Sequence, residues 1–405
     1  MLNKLKSLYT DSRAMSFLLS MLVFGMVTGT YGAVLNNYLH EILSISRLER
    51  GIVELPRELP GLLLFLIVGA LYRFSEIRIM FIAMIVSFAG LIGLGFLGAT
   101  RTPAIMLIVV FSAGEHMMMP IRSSIGIHMA KKGKEGLALG GLGSVANIGQ
   151  VAGHYLVPVI FLLFPLISTS QARFSVYRAT FFVAAAILIV GIILASRIKG
   201  SNQVIKRTKI LFRKKFTKYY ILEVFFGARK QVFMTFAPYV LIIKYGARTE
   251  LIASLYGIWS LANIFLSPII GRLIDRIGYK KILVADTVIL FLLCILYGFA
   301  HHIFPEGVAF VLICCVFVLD AILFIAGMAR TVYVKSSSDD KDEVTSTLST
   351  GISINHLISI AIAIAGGILW ERLGMEVLFS MAAIFALGSF AFALTLAKPL
   401  LAEKG

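Results

Sequence analysis

The sequence predicts an all-α membrane protein with twelve transmembrane helices arranged as two pseudo-symmetric six-helix bundles. Three observations indicate this fold class: an apolar composition, a series of long apolar runs and an internal repeat. Of the 405 residues, 59% are hydrophobic and only 15% are charged, and the mean hydropathy is +0.90. Soluble domains carry about 25% charged residues. The composition therefore excludes most soluble enzymes.

Twelve apolar runs are long enough to cross a bilayer, since one span takes roughly 20 residues. The first six lie near 14–39, 51–72, 77–98, 103–129, 137–165 and 176–196. After a polar stretch, six more lie near 219–243, 250–271, 281–300, 308–334, 345–370 and 374–397. We therefore expect an N-terminal bundle at 1–199, a cytoplasmic central linker at 200–217 and a C-terminal bundle at 218–405.

The basic residues indicate which way the helices face. The net charge is +17, from 38 Lys and Arg against 21 Asp and Glu, but the bases occupy short gaps between apolar runs. Alternate connections contain most of them, including a block from Arg197 to Lys218. By the positive-inside rule, both termini and the linker are cytoplasmic in a plasma (inner) membrane. The linker fits either a simple connection or a basic amphipathic helix on the anionic inner leaflet.

The two halves of the sequence are related by a constant offset. Moving the second half by 208 positions pairs Arg122 with Arg330, Glu135 with Glu343, Gly143 with Gly351 and Asn147 with Asn355, without a gap. These residue types are uncommon in an apolar background, so the pairing indicates two equivalent bundles.

The connection between the eighth and ninth spans contains two glycines, one acid and several bases. It reads Gly271-Arg-Leu-Ile-Asp275-Arg276-Ile-Gly278-Tyr-Lys280-Lys281. Glycines permit a tight turn, and Asp275 with the bases could join the cytoplasmic helix ends through charge pairs and a helix N-terminus. This segment resembles the loop motif of the major facilitator superfamily, Gly-x-Leu-x-Asp-Arg-x-Gly-Arg-Lys. The first-half counterpart lacks the motif Asp and has Glu76 nearby.

The resemblance implies the major facilitator fold, a secondary transporter that works by alternating access, and a central cavity lined by spans 1, 4, 7 and 10. We expect no catalytic residue, no metal and no cofactor, because the sequence has no phosphate-binding loop, nucleophile arrangement or zinc spacing. The expected partners are a small-molecule substrate, protons and the lipid bilayer, with no nucleic acid. The chain is expected to be a monomer.

Charged residues fall at mid-depth in three of those four spans. A charge at mid-bilayer costs at least about 2.5 kcal/mol, so it persists only beside a partner or an aqueous cavity. Span 4 carries Glu115, span 7 carries Arg229 and Lys230, and span 10 carries Asp320. Spans 3, 6, 9 and 12, which are expected to face lipid, are nearly free of charge, with Asp286 as the exception.

The predicted substrate site combines these charges with polar and adaptable side chains nearby. It consists of Tyr31, Glu115, Met118, Gln150, Arg229, Lys230, Asp320 and Asn355. Glu115, or else Asp320, is predicted to carry the coupling proton, while the two cations attract an anionic group on the solute. A cytoplasmic gate or structural lock is predicted at Arg122, Gly271, Asp275, Arg276, Gly278 and Arg330, with Asp275 as the partner of Arg330.

The predicted function is proton-linked transport of a small organic solute, anionic or amphiphilic. A multidrug or lipid-like exporter is the alternative, favoured by Met117–Met119 and abundant phenylalanine. A membrane receptor without net transport is a third possibility. The histidines are expected to be satisfied by helix neighbours or, for His301 and His302, by solvent, since no converging metal ligands are visible in the sequence.

Overall fold

A computed structural model describes residues 13–63, 74–129, 131, 135–164, 170–198, 212–338 and 341–396, and its regular structure there is entirely helical. The α-helices are Ala14–Glu41 (α1), Arg47–Leu62 (α2), Glu76–Leu97 (α3), Arg101–Met129 (α4), Glu135–Leu163 (α5), Ser170–Ser196 (α6), Thr217–Gln231 (α7), Ala237–Tyr245 (α8), Thr249–Ile277 (α9), Tyr279–Ile303 (α10), Glu306–Leu323 (α11), Met328–Ser337 (α12), Lys341–Leu373 (α13) and Met375–Leu394 (α14). A helix pairs its own backbone groups, which apolar surroundings require.

Ten helical segments of the described residues are long and apolar enough to cross a membrane. They correspond to predicted spans 1, 3 to 6 and 8 to 12. Predicted span 2 is absent from this set because α2 is rich in charge and residues 64–72 lie outside the described part. Predicted span 7 is divided by a π-helical segment, Val232–Phe236, so α7 and α8 are each too short. The total of twelve spans stays a prediction.

The π-helical segment follows directly from the local sequence. Pro238 has no backbone N–H, so the carbonyl of Met234 lacks its normal partner four residues later. The Gln231 side chain donates to Thr235 Oγ1 at 2.6 Å across the same turn. A second irregular segment, the 3-10 turn Phe324–Gly327, separates α11 from α12. Both interruptions lie close to charged side chains of the second unit described below.

The chain divides into two compact units. The first comprises Met1–Ile45, Pro56–Lys206 and Arg248–Ile264, and the second comprises Ser46–Leu55, Arg207–Ala247 and Phe265–Gly405. Two short segments therefore belong to a different unit from the residues on either side of them in the sequence. Ser46–Leu55 belongs to the second unit, and Arg248–Ile264 belongs to the first. Residues 200–211 of the predicted linker lie outside the described residues. The bundle boundaries at 199 and 218 stay predictions.

Glycines with positive φ lie between consecutive helices at three places, one of which is Gly246 after α8 at φ 65°. Gly278 lies between α9 and α10 at φ 85°, and Gly374 lies between α13 and α14 at φ 90°. Residues with a Cβ are strained in this region. The turn predicted at Gly278 is confirmed. The turn predicted at Gly271 is wrong, because α9 continues without a break to Ile277.

In the first unit, α1 packs against α5 through glycines that bring the two backbones into contact. A Cβ at Gly149 would overlap the carbonyl oxygen of Leu22, and one at Gly153 would overlap that of Met26. Such contacts between small residues hold membrane helices together, since apolar burial between helices gains little in lipid.

This packing predicts that Gly149→Ala destabilises the protein by about 1–3 kcal/mol, because the added methyl group meets backbone that cannot move aside. Gly143→Ala is the matched control on the same helix, since a Cβ there meets nothing within 4 Å. Thermal unfolding of the purified variants measures the difference. Equal midpoints for the two variants would contradict the observed α1–α5 packing.

Candidate functional site

Arg229, near the end of α7, lies between two buried carboxylates in the second unit. Its Nη1 donates to both carboxylate oxygens of Asp286 on α10, at 3.1 Å each. Its Nε and Nη2 donate to Oδ1 of Asp320 on α11, at 3.3 and 3.1 Å. Nη2 also reaches the Asp320 carbonyl at 3.4 Å. All three guanidinium nitrogens thus donate hydrogen bonds to the two acids. We call Arg229, Asp286 and Asp320 the Arg229 cluster.

The Arg229 cluster contains one more acid than base. Arg229, Asp286 and Asp320 are 3%, 8% and 2% exposed. Buried charges are strongly unfavourable unless they are paired and hydrogen-bonded. With both carboxylates ionised, the cluster carries a net charge of −1, and a single proton on either one makes it neutral. The geometry can therefore hold one proton while keeping one complete ion pair.

The cluster joins two predicted site residues and adds one that was not predicted. Arg229 and Asp320, which are 91 positions apart, are in direct contact. Asp286 lies on the ninth predicted span, which was expected to face lipid, yet its side chain is buried against Arg229. This is a correction to the predicted site. The available signal was that Asp286 is a charge in an otherwise apolar span.

A second polar cluster lies next to the first in the same unit. Arg330 on α12 donates from Nε to Glu223 on α7 at 2.7 Å. Asn355 on α13 donates to Glu223 at 3.4 Å and accepts from Lys230 Nζ at 3.0 Å. The predicted partner of Arg330 was Asp275, whose side chain lies outside the described part; the partner that the structure shows is Glu223.

A cavity within the second unit borders both clusters. Its polar walls are Arg229, Asp286, Thr287, Arg330 and Ser389, and apolar side chains of α7, α10 and α14 complete it. The ring of Phe226 on α7 also lines the cavity and lies under the Arg330 guanidinium, 3.4 Å from it. The space therefore places polar atoms of the two clusters along one surface.

The N-terminal half of α2 contributes another buried acid, Glu54, to the second unit. Glu54 forms an ion pair with Arg50 one turn earlier and accepts from Gln231 Nε2 at 3.1 Å. Arg50 also faces the ring of Tyr239 at 5.9 Å. The spacing of Glu54, Arg57 and Glu58 in the sequence indicated either an internal ion pair or a gate on this helix, but it did not single out Arg50, which lies at i, i+4 from Glu54.

In the first unit, Glu115 is a half-buried carboxylate on α4. The charged side chains that act on it are Arg57, Glu58 and Arg122. Arg57 and Glu58 form an ion pair of 2.6 Å. The next residue of α4, His116, is bonded through Nδ1 to the Ser112 carbonyl at 2.8 Å, so the prediction that a helix neighbour satisfies it is confirmed. Glu115 thus lies in a mixed-charge environment of its own.

The other predicted substrate residues of the first unit differ in exposure. Tyr31 on α1 is buried, with its ring 4.0 Å from that of Phe111. Met118 is 1% exposed, and Gln150 on α5 is half-buried. Met117 is also buried, so only Met119 of the methionine run is exposed.

Lys280 of the loop motif binds the C-terminal end of a helix and not the N-terminal end that we expected. Lys280 donates to the carbonyls of Leu394 and Leu396 at 2.6 and 2.8 Å, where α14 ends. We expected the motif to engage a helix N-terminus, but a cation is favourable at the negative C-terminal end. Arg276 is exposed at the end of α9, and Arg122 on α4 is half-buried with Glu115 acting on its charge.

Comparisons with known proteins agree with this architecture. A solved structure of the nucleoside transporter NupG superposes with a TM-score of 0.72 at 12% identity, covering 96% of this chain and 100% of that chain. A D-xylose-proton symporter gives 0.73 at 14%, covering 96% and 99%. A POT family transporter in complex with 5-aminolevulinic acid gives 0.70 at 13%, covering 93% and 94%. No curated protein matches by sequence.

Identities this low establish similarity of fold alone. The family model described as Major Facilitator Superfamily, however, matches residues 17–341, which is most of the chain. The helical architecture, the loop motif and this match agree with one another. The chain belongs to the Major Facilitator Superfamily and is a membrane transporter of that family.

Proposed function

We propose that this protein is a proton-coupled secondary transporter that moves a small organic solute across the plasma (inner) membrane by alternating access. The observation that carries the proposal is the Arg229 cluster, in which one buried guanidinium faces two buried carboxylates. Such a group changes its net charge from −1 to zero when it takes up one proton. A charge change at a buried site favours one conformation over another when the two conformations differ in exposure of that site.

Asp320 is the proton carrier in this scheme, with Glu115 as the alternative in the first unit. Protonation of Asp320 removes its ion pair with Arg229. Nε and Nη2 of Arg229 then have fewer acceptors. An anionic group on the solute can then accept from these donors. Proton binding and solute binding would thereby assist each other, which is the requirement for coupling.

We further propose that the substrate site predicted from the sequence operates as one site and that the predicted gate closes its cytoplasmic side. The bond between Lys230 and Asn355 supports this assignment, because it joins two of the predicted residues. The proposal includes twelve spans, bundles at 1–199 and 218–405, cytoplasmic termini and a monomeric chain.

The similar structures favour a polar organic solute. They are a nucleoside transporter, a D-xylose-proton symporter, and a POT family transporter in complex with 5-aminolevulinic acid. The multidrug alternative relied on the methionine run and on abundant phenylalanine, and two of those three methionines are buried. We therefore favour a hydrophilic solute, and the donors of Arg229 favour one with an anionic group.

The test uses purified full-length protein in proteoliposomes with an imposed pH gradient. The solute panel contains nucleosides, pentoses, dipeptides, amino acids, carboxylic acids and lipophilic cations. We expect one hydrophilic class to accumulate above equilibrium, and a protonophore to abolish the accumulation. Transport of that class without response to the gradient would contradict proton coupling. Preferential transport of the lipophilic cations would instead establish the multidrug alternative, and tight binding without flux would indicate a receptor.

A further inference from the structure

Two histidines at the end of α10 and one glutamate at the start of α14 converge on one point of the second unit. His301 Nε2 lies 2.9 Å from Glu376 Oε1, and His302 Nε2 lies 3.0 Å from the same oxygen. The three ligand atoms are all within 4.8 Å of one another. The His302 side chain is 58% exposed, so the cluster is accessible from solvent.

We propose that His301, His302 and Glu376 bind a divalent transition-metal ion. In a tetrahedral zinc site, metal–ligand bonds of about 2.0–2.2 Å place neighbouring ligand atoms about 3.3 Å apart. The two nitrogen–oxygen distances observed here are shorter than that by only a few tenths of an ångström. A small outward rotation of the side chains would therefore admit the ion, with the fourth position left to water.

Local sequence holds the carboxylate in place. Glu376 lies in the first turn of α14, two residues after Gly374. A Cβ at position 374 would lie 2.5 Å from Glu376 Oε2. The glycine that permits the turn between α13 and α14 thus also leaves room for the carboxylate to reach the two imidazoles.

The donor set selects the class of metal. Imidazole nitrogens with one carboxylate suit Zn²⁺, Cu²⁺ and Ni²⁺, whereas Ca²⁺ and Mg²⁺ require oxygen ligands. Lys244 on α8 is the cation that acts on His301, and its charge opposes metal binding. Neutral imidazoles and one carboxylate still give the site a charge of −1 before Lys244 is counted.

A bound ion would join the end of α10 to the start of α14 within one unit. Binding would therefore raise the thermal stability of the protein. Metal binding requires no contribution from the Arg229 cluster. The result of the metal-binding experiment is therefore independent of the proposed coupling mechanism. In the predicted topology, the site lies on the external face of the membrane.

The test adds Zn²⁺ to the purified full-length chain in detergent and measures affinity by competition with a chromophoric chelator. We expect one tight site per chain and a rise in the unfolding temperature. His302→Ala and Glu376→Gln should each weaken binding at least about tenfold and abolish the temperature shift. Because the His302 side chain is exposed, we expect His302→Ala to fold normally, and its unfolding temperature without metal checks this directly.

Two control variants, one variant with the opposite effect and one spectrum separate this site from others. His40→Ala removes a histidine of the first unit, and Cys315→Ser removes an exposed thiol; both should leave Zn²⁺ affinity unchanged. Lys244→Gln should tighten binding. Co²⁺ should give the visible absorption of a tetrahedral nitrogen and oxygen site without a thiolate charge-transfer band. Unchanged affinity in both His302→Ala and Glu376→Gln, or loss of binding in Cys315→Ser, would overturn the proposal.

Discussion

Replacing Asp320 by asparagine should uncouple solute movement from the proton gradient and leave exchange intact. The amide keeps the volume of the side chain but holds no ionisable proton. It also brings the Arg229 cluster to zero net charge, as protonation does, while Arg229 keeps its ion pair with Asp286. The variant should therefore fold and resemble the permanently protonated protein.

The measurement compares accumulation with counterflow in proteoliposomes. With one proton moved per solute, a gradient of one pH unit supports about tenfold accumulation, since about 1.4 kcal/mol corresponds to a factor of ten. We expect the wild-type protein to approach this ratio and Asp320→Asn to give a ratio near unity. Counterflow of labelled solute should persist in the variant.

Two further variants locate the proton carrier. Asp286→Asn tests the other acid of the Arg229 cluster, and Glu115→Gln tests the first unit. If Glu115→Gln abolishes accumulation while Asp320→Asn and Asp286→Asn retain it, the coupling proton belongs to Glu115 and the assignment to the Arg229 cluster is wrong.

Arg229→Gln should cause a large loss of stability. Removal of the guanidinium leaves Asp286 and Asp320 buried without their cation. Breaking a buried ion pair by deleting one partner typically costs 3–5 kcal/mol. Here two acids lose the same partner, so we expect a fall in thermal midpoint and poor yield of folded protein. Lys230→Gln is the matched control, since that side chain is only half-buried and its position is adjacent.

Neutralising the acids should restore the lost stability. The triple variant Arg229→Gln, Asp286→Asn, Asp320→Asn has no buried charge at this site and can form amide hydrogen bonds in its place. We expect its thermal midpoint, followed by intrinsic fluorescence in detergent, to lie well above that of Arg229→Gln. A triple variant no more stable than Arg229→Gln would show that the loss arises from packing and not from unpaired charge.

The candidate site was partly visible in the sequence. Arg229 and Asp320 could be selected because a charge at mid-span requires a reason to be there. That rule says which residues need partners but does not say which partners they find. In the structure, Asp286 is a second partner of Arg229, and Glu223 is the partner of Arg330. These contacts depend on the rotation and tilt of the helices, and hydropathy determines neither the rotation nor the tilt.

By itself, the sequence determined the helical class, the family resemblance and the position of the ten segments in the described residues that are long and apolar enough to cross a membrane. Runs of apolar residues of bilayer length have few alternatives in lipid. The tertiary structure alone decided which distant side chains meet. Arg229 reaches Asp286 across 57 positions, and His301 reaches Glu376 across 75. Such pairings depend on how helices from separate parts of the chain pack, and the physical signal for that packing is spread over many weak contacts between small and apolar residues.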